Sequence, residues 1–355
     1  MKKTLALFLI LFALFCSGCT SSVPAEVLPE TPQAPSERYE PVSSVAATTP
    51  EIPQAPPPPE PPPPPEPVYE APSVSISSDS FIQGDILKLR VEMNSEAEGP
   101  KPEVSTELGR GIFIAEDESK DSYVCWIPVG FAQTVGSYDV RVSVGEVFSV
   151  DFNVSVEARE YGEQHLSISQ ATVDATQGAP NANEDFAEKI KSCYGIFDEA
   201  VYWHGLFIRP VEGRVTTEFG VYRYTNGSDR PRRHTGVDFA IEEGTPVPAS
   251  NAGRVLFAGD VIITGKSVVI EHGGGLKTYY YHLSELNVET GAMVEKGEII
   301  GLVGMTGYST GPHLHFEVKL GDYALSPWEL FDGSSDLYRW EEESEDQRTS
   351  EADPS

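Results

Sequence analysis

Four of the seven histidines, His234, His282, His313 and His315, fall together with Asp238 in three short stretches. These are His234-Thr235-Gly236-Val237-Asp238, Tyr281-His282-Leu283-Ser284 and His313-Leu314-His315-Phe316-Glu317-Val318. In the last, Leu314, Phe316 and Val318 alternate with His313, His315 and Glu317, so a strand puts both imidazoles on one face. Gly236 between the β-branched Thr235 and Val237 favours extended chain, where His234 and Asp238 again share a face. Imidazole nitrogen and carboxylate oxygen suit zinc, and a catalytic zinc site keeps three protein ligands and leaves the fourth position to water. His234, Asp238 and one histidine of the His-x-His pair supply three ligands, and spacing leaves open which histidine that is. The other one and His282 are then available for proton transfer, a surplus that an enzyme needs and a structural site does not. Glu317 faces the same side and is expected to support a ligand or meet solvent rather than catalyse.

These side chains need a β scaffold. Val268–Glu271, Lys277–Tyr281 and Leu314–Lys319 read as strands, with glycines at the turns between them. His272 is placed in a hairpin turn with Gly273–Gly275, and His204 is read as structural. Upstream, Leu87, Leu89, Val91 and Met93 alternate with polar residues, as do Tyr138, Val140, Val142 and Val144, and then Phe148 to Val156. Residues 73–160 are therefore expected to form an antiparallel, immunoglobulin-like β-sandwich with a spacer or binding role. Residues 161–208 connect it to the next domain. They carry a helical stripe of Phe186, Ile190, Tyr194, Phe197 and Val201 behind a capping Asn183. Cys125 and Cys193 are expected to stay unpaired. The fold class is mainly β, with the chemistry confined to residues 209–331.

The chain has 355 residues and a formal net charge of −30, which excludes a nucleic-acid partner because phosphate binding needs a basic footprint. Lys2 and Lys3 precede an apolar run from Leu5 to Phe15, far shorter than the roughly 20 residues that cross a bilayer. Cys16-Ser17-Gly18-Cys19 follows. This arrangement is similar to a bacterial lipoprotein signal, which implies removal of residues 1–18 and attachment of Cys19 to a lipid membrane. Thr20 stands where a retention aspartate would otherwise lie, which implies the outer membrane facing the periplasm. Residues 19–72 form a Pro/Glu-rich tether that cannot bury enough surface to fold, and in polyproline II it reaches on the order of 150 Å. Residues 332–355 are read as an acidic C-terminal tail.

Together with Gly244-Thr245-Pro246-Val247, Gly253-Arg254-Val255 and Gly307 to Gly311, the histidine stretches closely resemble the lysostaphin-type (LytM-type) zinc endopeptidases of bacterial peptidoglycan. The resemblance implies a compact antiparallel β peptidase domain at 209–331 holding one Zn2+ by His234, Asp238 and His315. It further implies that His282 and His313 are the catalytic histidines and that peptidoglycan stem peptides are the substrate. An alternative is an inactive relative that binds peptidoglycan or activates another wall hydrolase, although such proteins lack ligands that are present here. A lipoyl-type carrier reading of Gly291–Gly301 around Lys296 is disfavoured by export. Arg223, Arg230, Arg232 and Arg233 reverse the local charge just before His234, and we expect them to border the groove and hold stem-peptide carboxylates.

Overall fold

A computed structural model describes residues 71–94, 100–116 and 118–340. The leader, Cys19, the tether up to residue 70 and the tail from residue 341 lie outside the described residues. Alternation in the upstream region produces two four-stranded sheets. One contains Ser73–Ile76, Ile86–Glu92, Ser122–Pro128 and Ile114–Ala115; the other contains Ser80–Ile82, Phe148–Glu157, Gly136–Val144 and Glu103–Thr106. Leu87, Leu89, Val91 and Ile127 from the first sheet share one buried cluster with Val140, Val142, Val154 and Val156 from the second. The expected sandwich is antiparallel throughout, but Ser80–Ile82 pairs in parallel with Phe148–Glu157.

The first sheet departs from simple alternation because both of its faces are covered. Ile86, Val124 and Trp126 belong to the core of the following domain. Lys88, on that second face, is buried and donates to the carbonyl of Leu337 at 3.0 Å. Arg159 pins the junction, donating to Gln83 O at 2.7 Å, Glu329 at 2.8 Å and Asp85 at 3.0 Å. The start of the expected acidic tail is folded as well. A 3-10 turn at Asp336–Tyr338 buries Leu337, because an apolar residue there has a covered surface to meet.

The downstream region is built on an eight-stranded sheet. Along it lie Arg214–Thr217, Val237–Ala240, His313–Leu320, Leu276–Leu283, Gly265–Gly273, Gly253–Val261 and Met293–Val294, with Tyr323–Leu325 added to the His313–Leu320 strand. Every pairing in it is antiparallel. Leu314, Phe316 and Val318 point into the main core while His313, His315 and Glu317 point to the other face, as their alternation predicts. His272 is not in a turn. It is a buried strand residue whose Nδ1–H donates to Ala252 O at 2.7 Å and whose Nε2 lies 2.8 Å from Thr278 Oγ1, and Gly274 and Gly275 alone make the hairpin.

The connecting segment holds more structure than its stripe indicates. Glu163–Leu166 is a strand paired in parallel with Tyr222–Thr225, which pairs in turn with Arg232–Arg233. Ser169 caps a short helix at Gln170–Ala175, accepting from Thr172 N at 3.1 Å. A second helix spans Ala182–Lys189, with Asn181 rather than Asn183 at its N-cap. It ends in a 3-10 turn at Lys191–Cys193, so Phe197 and Val201 fall beyond it. Ile190 and Cys193 pack on Val261, Val269, Tyr279 and Tyr281, covering the sheet face that carries the histidines. Cys125 and Cys193 are both free.

Candidate active site

Strand register brings the site together. Asp238 lies directly opposite His315 on one side, and Tyr281 lies opposite His315 on the other. Gly236 allows the close approach that this needs, since a Cβ there would sit 2.2 Å from the carbonyl oxygen of Phe316. His234 is anchored just upstream by its N–H to Val221 O at 2.9 Å.

The three side chains converge on one point. His234 Nε2 lies 3.0 Å from both Asp238 Oδ1 and His315 Nδ1, and His315 Nδ1 lies 2.7 Å from Asp238 Oδ1. All three residues are buried and form the one group of possible metal ligands found among the described residues. Donors on a tetrahedral zinc with bonds of about 2.0–2.1 Å are about 3.3 Å apart, so the two 3.0 Å spacings need to open by about 0.3 Å and the 2.7 Å spacing by about 0.6 Å. The outward ring nitrogens are held too: His234 Nδ1 lies 3.0 Å from Glu218 O, and His315 Nε2 lies 3.1 Å from Glu317 Oε1. Such outer partners orient ligand histidines. Glu317 is therefore a buried support, also bonded to Thr235 and paired with Lys319 at 3.3 Å, and it does not face solvent. The donor set fits a zinc ion.

His282 and His313 stand beside this cluster with ring centroids 4.7 Å apart. His313 Nε2 is 3.8 Å from Asp238 Oδ1, while its Nδ1–H donates to Gly311 O at 2.8 Å. His282 Nδ1–H donates to Thr306 O at 2.8 Å. In each neutral ring the Nε2 lone pair is thereby left for chemistry. Burial, reinforced by the neighbouring imidazoles, pushes His282 down to about 3, and burial also lowers His313. His282 holds a left-handed φ of 64°, a strained backbone for a residue with a side chain. Around His315, burial opposes the charged form, but hydrogen bonds to Asp238 and Glu317 outweigh it and raise the ring to about 9 in the ion-free protein. His234 is lowered by burial.

The four arginines do not act alike. Arg223 is turned onto the cluster, donating from Nη2 to Asp238 Oδ2 at 2.7 Å. Arg233 is committed to an aromatic box, its guanidinium 4.8, 4.1 and 4.3 Å from the rings of Phe131, Tyr161 and Tyr222. Both guanidinium groups thus have internal partners, and both also line the cavity beside His234 and His315. Arg230 and Arg232 are exposed. A cavity of about 280 Å³ opens beside Asp238, His282 and His313 and reaches Gln164 and Ile168 of the connecting segment. A second, of about 210 Å³, is lined by Arg232, His234, Tyr281 and His315. Gln164, Thr217 and the stacking of Tyr281 on His315 at 5.4 Å were not foreseen. Tyr281 stood within a histidine stretch, whereas nothing local marks Gln164 or Thr217.

A family model for Peptidase family M23 matches residues 232–327. The DD-carboxypeptidase/endopeptidase Mpg of Neisseria meningitidis is 43% identical over 124 residues, covering 35% of this chain and 28% of the relative. The peptidoglycan DD-endopeptidase ShyA of Vibrio cholerae is 42% identical over 111 residues, covering 31% of this chain and 26% of the relative. The chain thus spans little more than a quarter of the length of these relatives. A crystal structure from Pseudomonas aeruginosa assigned to peptidase M23 shares the fold with a TM-score of 0.52 at 24% identity, covering 71% of this chain and 95% of that one. That coverage extends well beyond residues 232–327, so the likeness in fold includes part of the region upstream. With the ligand geometry and these matches together, the chain carries a domain of peptidase family M23.

Proposed function

We propose that the chain is a cell-wall zinc metalloendopeptidase that hydrolyses peptide crosslinks of peptidoglycan. The observation that carries the proposal is the convergence of His234, Asp238 and His315 beside two further histidines whose Nε2 atoms are left for proton transfer. His234, Asp238 and His315 would hold the zinc, which when bound supplies Lewis acidity that polarises a scissile carbonyl and lowers the pKa of water from 15.7 to roughly 7. The protein's own groups do the rest. His282 and His313, kept neutral by burial, accept the proton of the attacking water through Nε2 and return it to the leaving amine. In the protonated state the same Nε2–H groups stabilise the oxyanion of the tetrahedral intermediate. Glu317 and the Glu218 carbonyl keep the ligand rings oriented throughout.

The substrate class is supported by the relatives, one named as a DD-carboxypeptidase/endopeptidase and one as a peptidoglycan DD-endopeptidase. Exposed Arg230 and Arg232 suit stem-peptide carboxylates. Replacing both by Ala is expected to raise KM on crosslinked muropeptides, and an unchanged KM removes them from the groove. Export and an acylated Cys19 in the outer membrane belong to this proposal, supported by the similarity of residues 1–19 to a lipoprotein signal. Metabolic labelling with a radioactive fatty acid, lost in Cys19→Ser, tests that anchor, and an unlabelled wild type rejects it. The function itself is tested by digesting purified peptidoglycan with zinc-loaded protein lacking residues 1–19, followed by mass analysis. Loss of crosslinked dimers is expected; intact dimers would favour the inactive-relative reading.

A further inference from the structure

We infer that Arg223 and Gln164 are positioning residues of the metal centre, holding Asp238 so that one carboxylate oxygen alone faces the ion. The inference rests on the metal-centre reading above. Asp238 is divided between two tasks. Its Oδ1 lies 3.0 Å from His234 Nε2 and 2.7 Å from His315 Nδ1, while its Oδ2 accepts from Arg223 Nη2 at 2.7 Å. Arg223 is itself braced, with Nη2 3.0 Å from Thr217 Oγ1 and Nε donating to Gln164 Oε1 at 3.1 Å. Gln164 closes the ring by donating from Nε2 to Thr217 Oγ1 at 3.0 Å.

Strand pairing aligns these residues two by two. Gln164 is the register partner of Arg223 in the parallel pair, and Thr217 is the register partner of Asp238. All three braces precede residues 232–327, and Gln164 belongs to the connecting segment. The planar guanidinium fork spans three acceptors at fixed angles, which a lysine ammonium on its flexible stem cannot reproduce. A carboxylate with both oxygens unclaimed can bind a metal through either or both, and a second oxygen would compete for the position that catalytic zinc leaves to solvent. By occupying Oδ2, Arg223 limits Asp238 to one donor, and the upstream strand fixes Arg223 in that task.

The test uses the full-length chain loaded with Co(II), whose visible band is strong at a tetrahedral site and weak when a fifth donor is added. In Arg223→Gln the band is expected to weaken by roughly twofold or more. Turnover of peptidoglycan is expected to fall about 10- to 100-fold. Gln164→Leu is expected to move both readouts in the same direction by less, and Arg223→Lys is not expected to restore the band. Circular dichroism checks the fold; if Arg223→Gln does not fold, the half-buried position of Gln164 makes Gln164→Leu the deciding variant. A wild-type band and wild-type turnover in the folded variants overturn the inference. Failure of the wild type to take up Co(II) or Zn2+ instead overturns the metal-centre reading.

Discussion

Two β regions of similar construction bury different chemistry. In the described residues between Ser73 and Glu157, the buried polar side chains are Ser77 and Lys88, and the shared core of the two sheets is wholly apolar apart from the Tyr123 hydroxyl and the Cys125 thiol. In the downstream sheet Asp238, Glu271, Lys277, His315, Glu317 and Lys319 are all buried. Lys277 and Glu271 pair at 2.8 Å with no side-chain exposure at all. Removing a charge from water is expensive, and only a partner at short range offsets it. The upstream region is thus held by apolar area, while the downstream sheet adds to its own apolar core specific pairings that fix charged groups against one another. The part of the molecule that gathers His234, Asp238, His282, His313 and His315 is thus also the part that carries the electrostatic burden.

That contrast can be broken in order of size. His313→Ala should lower peptidoglycan turnover by about 10²- to 10⁴-fold, as expected for loss of a general acid–base. It should leave bound zinc unchanged by metal analysis, and loss of the zinc would assign His313 to the ligands. Lys277→Met strands Glu271 in the interior and is expected to lower unfolding free energy by about 3–5 kcal/mol in urea titration. Leu89→Ala, deep in the apolar upstream core, should cost about 2–5 kcal/mol through lost burial and a cavity, again without loss of zinc. A loss of metal in that variant would show the two regions to be coupled more tightly than the contrast implies.

At mildly acidic pH the smallest effect comes from the titration of one histidine. Burial pushes His272 down to about 4 from an ordinary value of 6.5, so the unfolded chain takes up a proton that the native protein refuses. Stability is then complete above 6.5 and declines as pH falls toward 4. The expected loss from this one group is about 1 kcal/mol at pH 5.5 and about 3 kcal/mol near pH 4. His272→Gln should flatten this part of the stability profile, measured by urea titration across pH 4–7. An unaltered profile would assign the acid sensitivity elsewhere.

What could be read from the chain was what lies close together along it. The alternation of His313, His315 and Glu317 with apolar neighbours stated the strand and its two faces, whereas His234 and Asp238 do not share one strand: His234 follows Arg232–Arg233, the chain bends at Gly236, and Asp238 lies in Val237–Ala240. The choice between His313 and His315 depended on family resemblance, because period two places both on the same face. Longer-range facts were not legible. Lys88 is one of the polar residues that alternate with Leu87 and Leu89, and its burial follows from a contact with the distant C-terminal turn. Arg223 reads as part of a basic loop because its partners are distant in sequence: Gln164 meets it through a parallel strand pairing, and Asp238 is held next to Thr217 by a second pairing. The helical stripe overran its helix because Tyr194 continues the packing after the α-helical hydrogen bonds have given way to a 3-10 turn.

Gly236 sets the gauge of the track on which the ligands ride. With hydrogen as its only substituent, the strand leading to Asp238 can run against the backbone of Phe316; a single methyl would meet that carbonyl at 2.2 Å and wedge the two rails apart. The span between Asp238 and His315 is therefore dictated by an atom that is missing from a neighbour. Alanine at this position would spoil the fit of an ion without altering any group able to touch it.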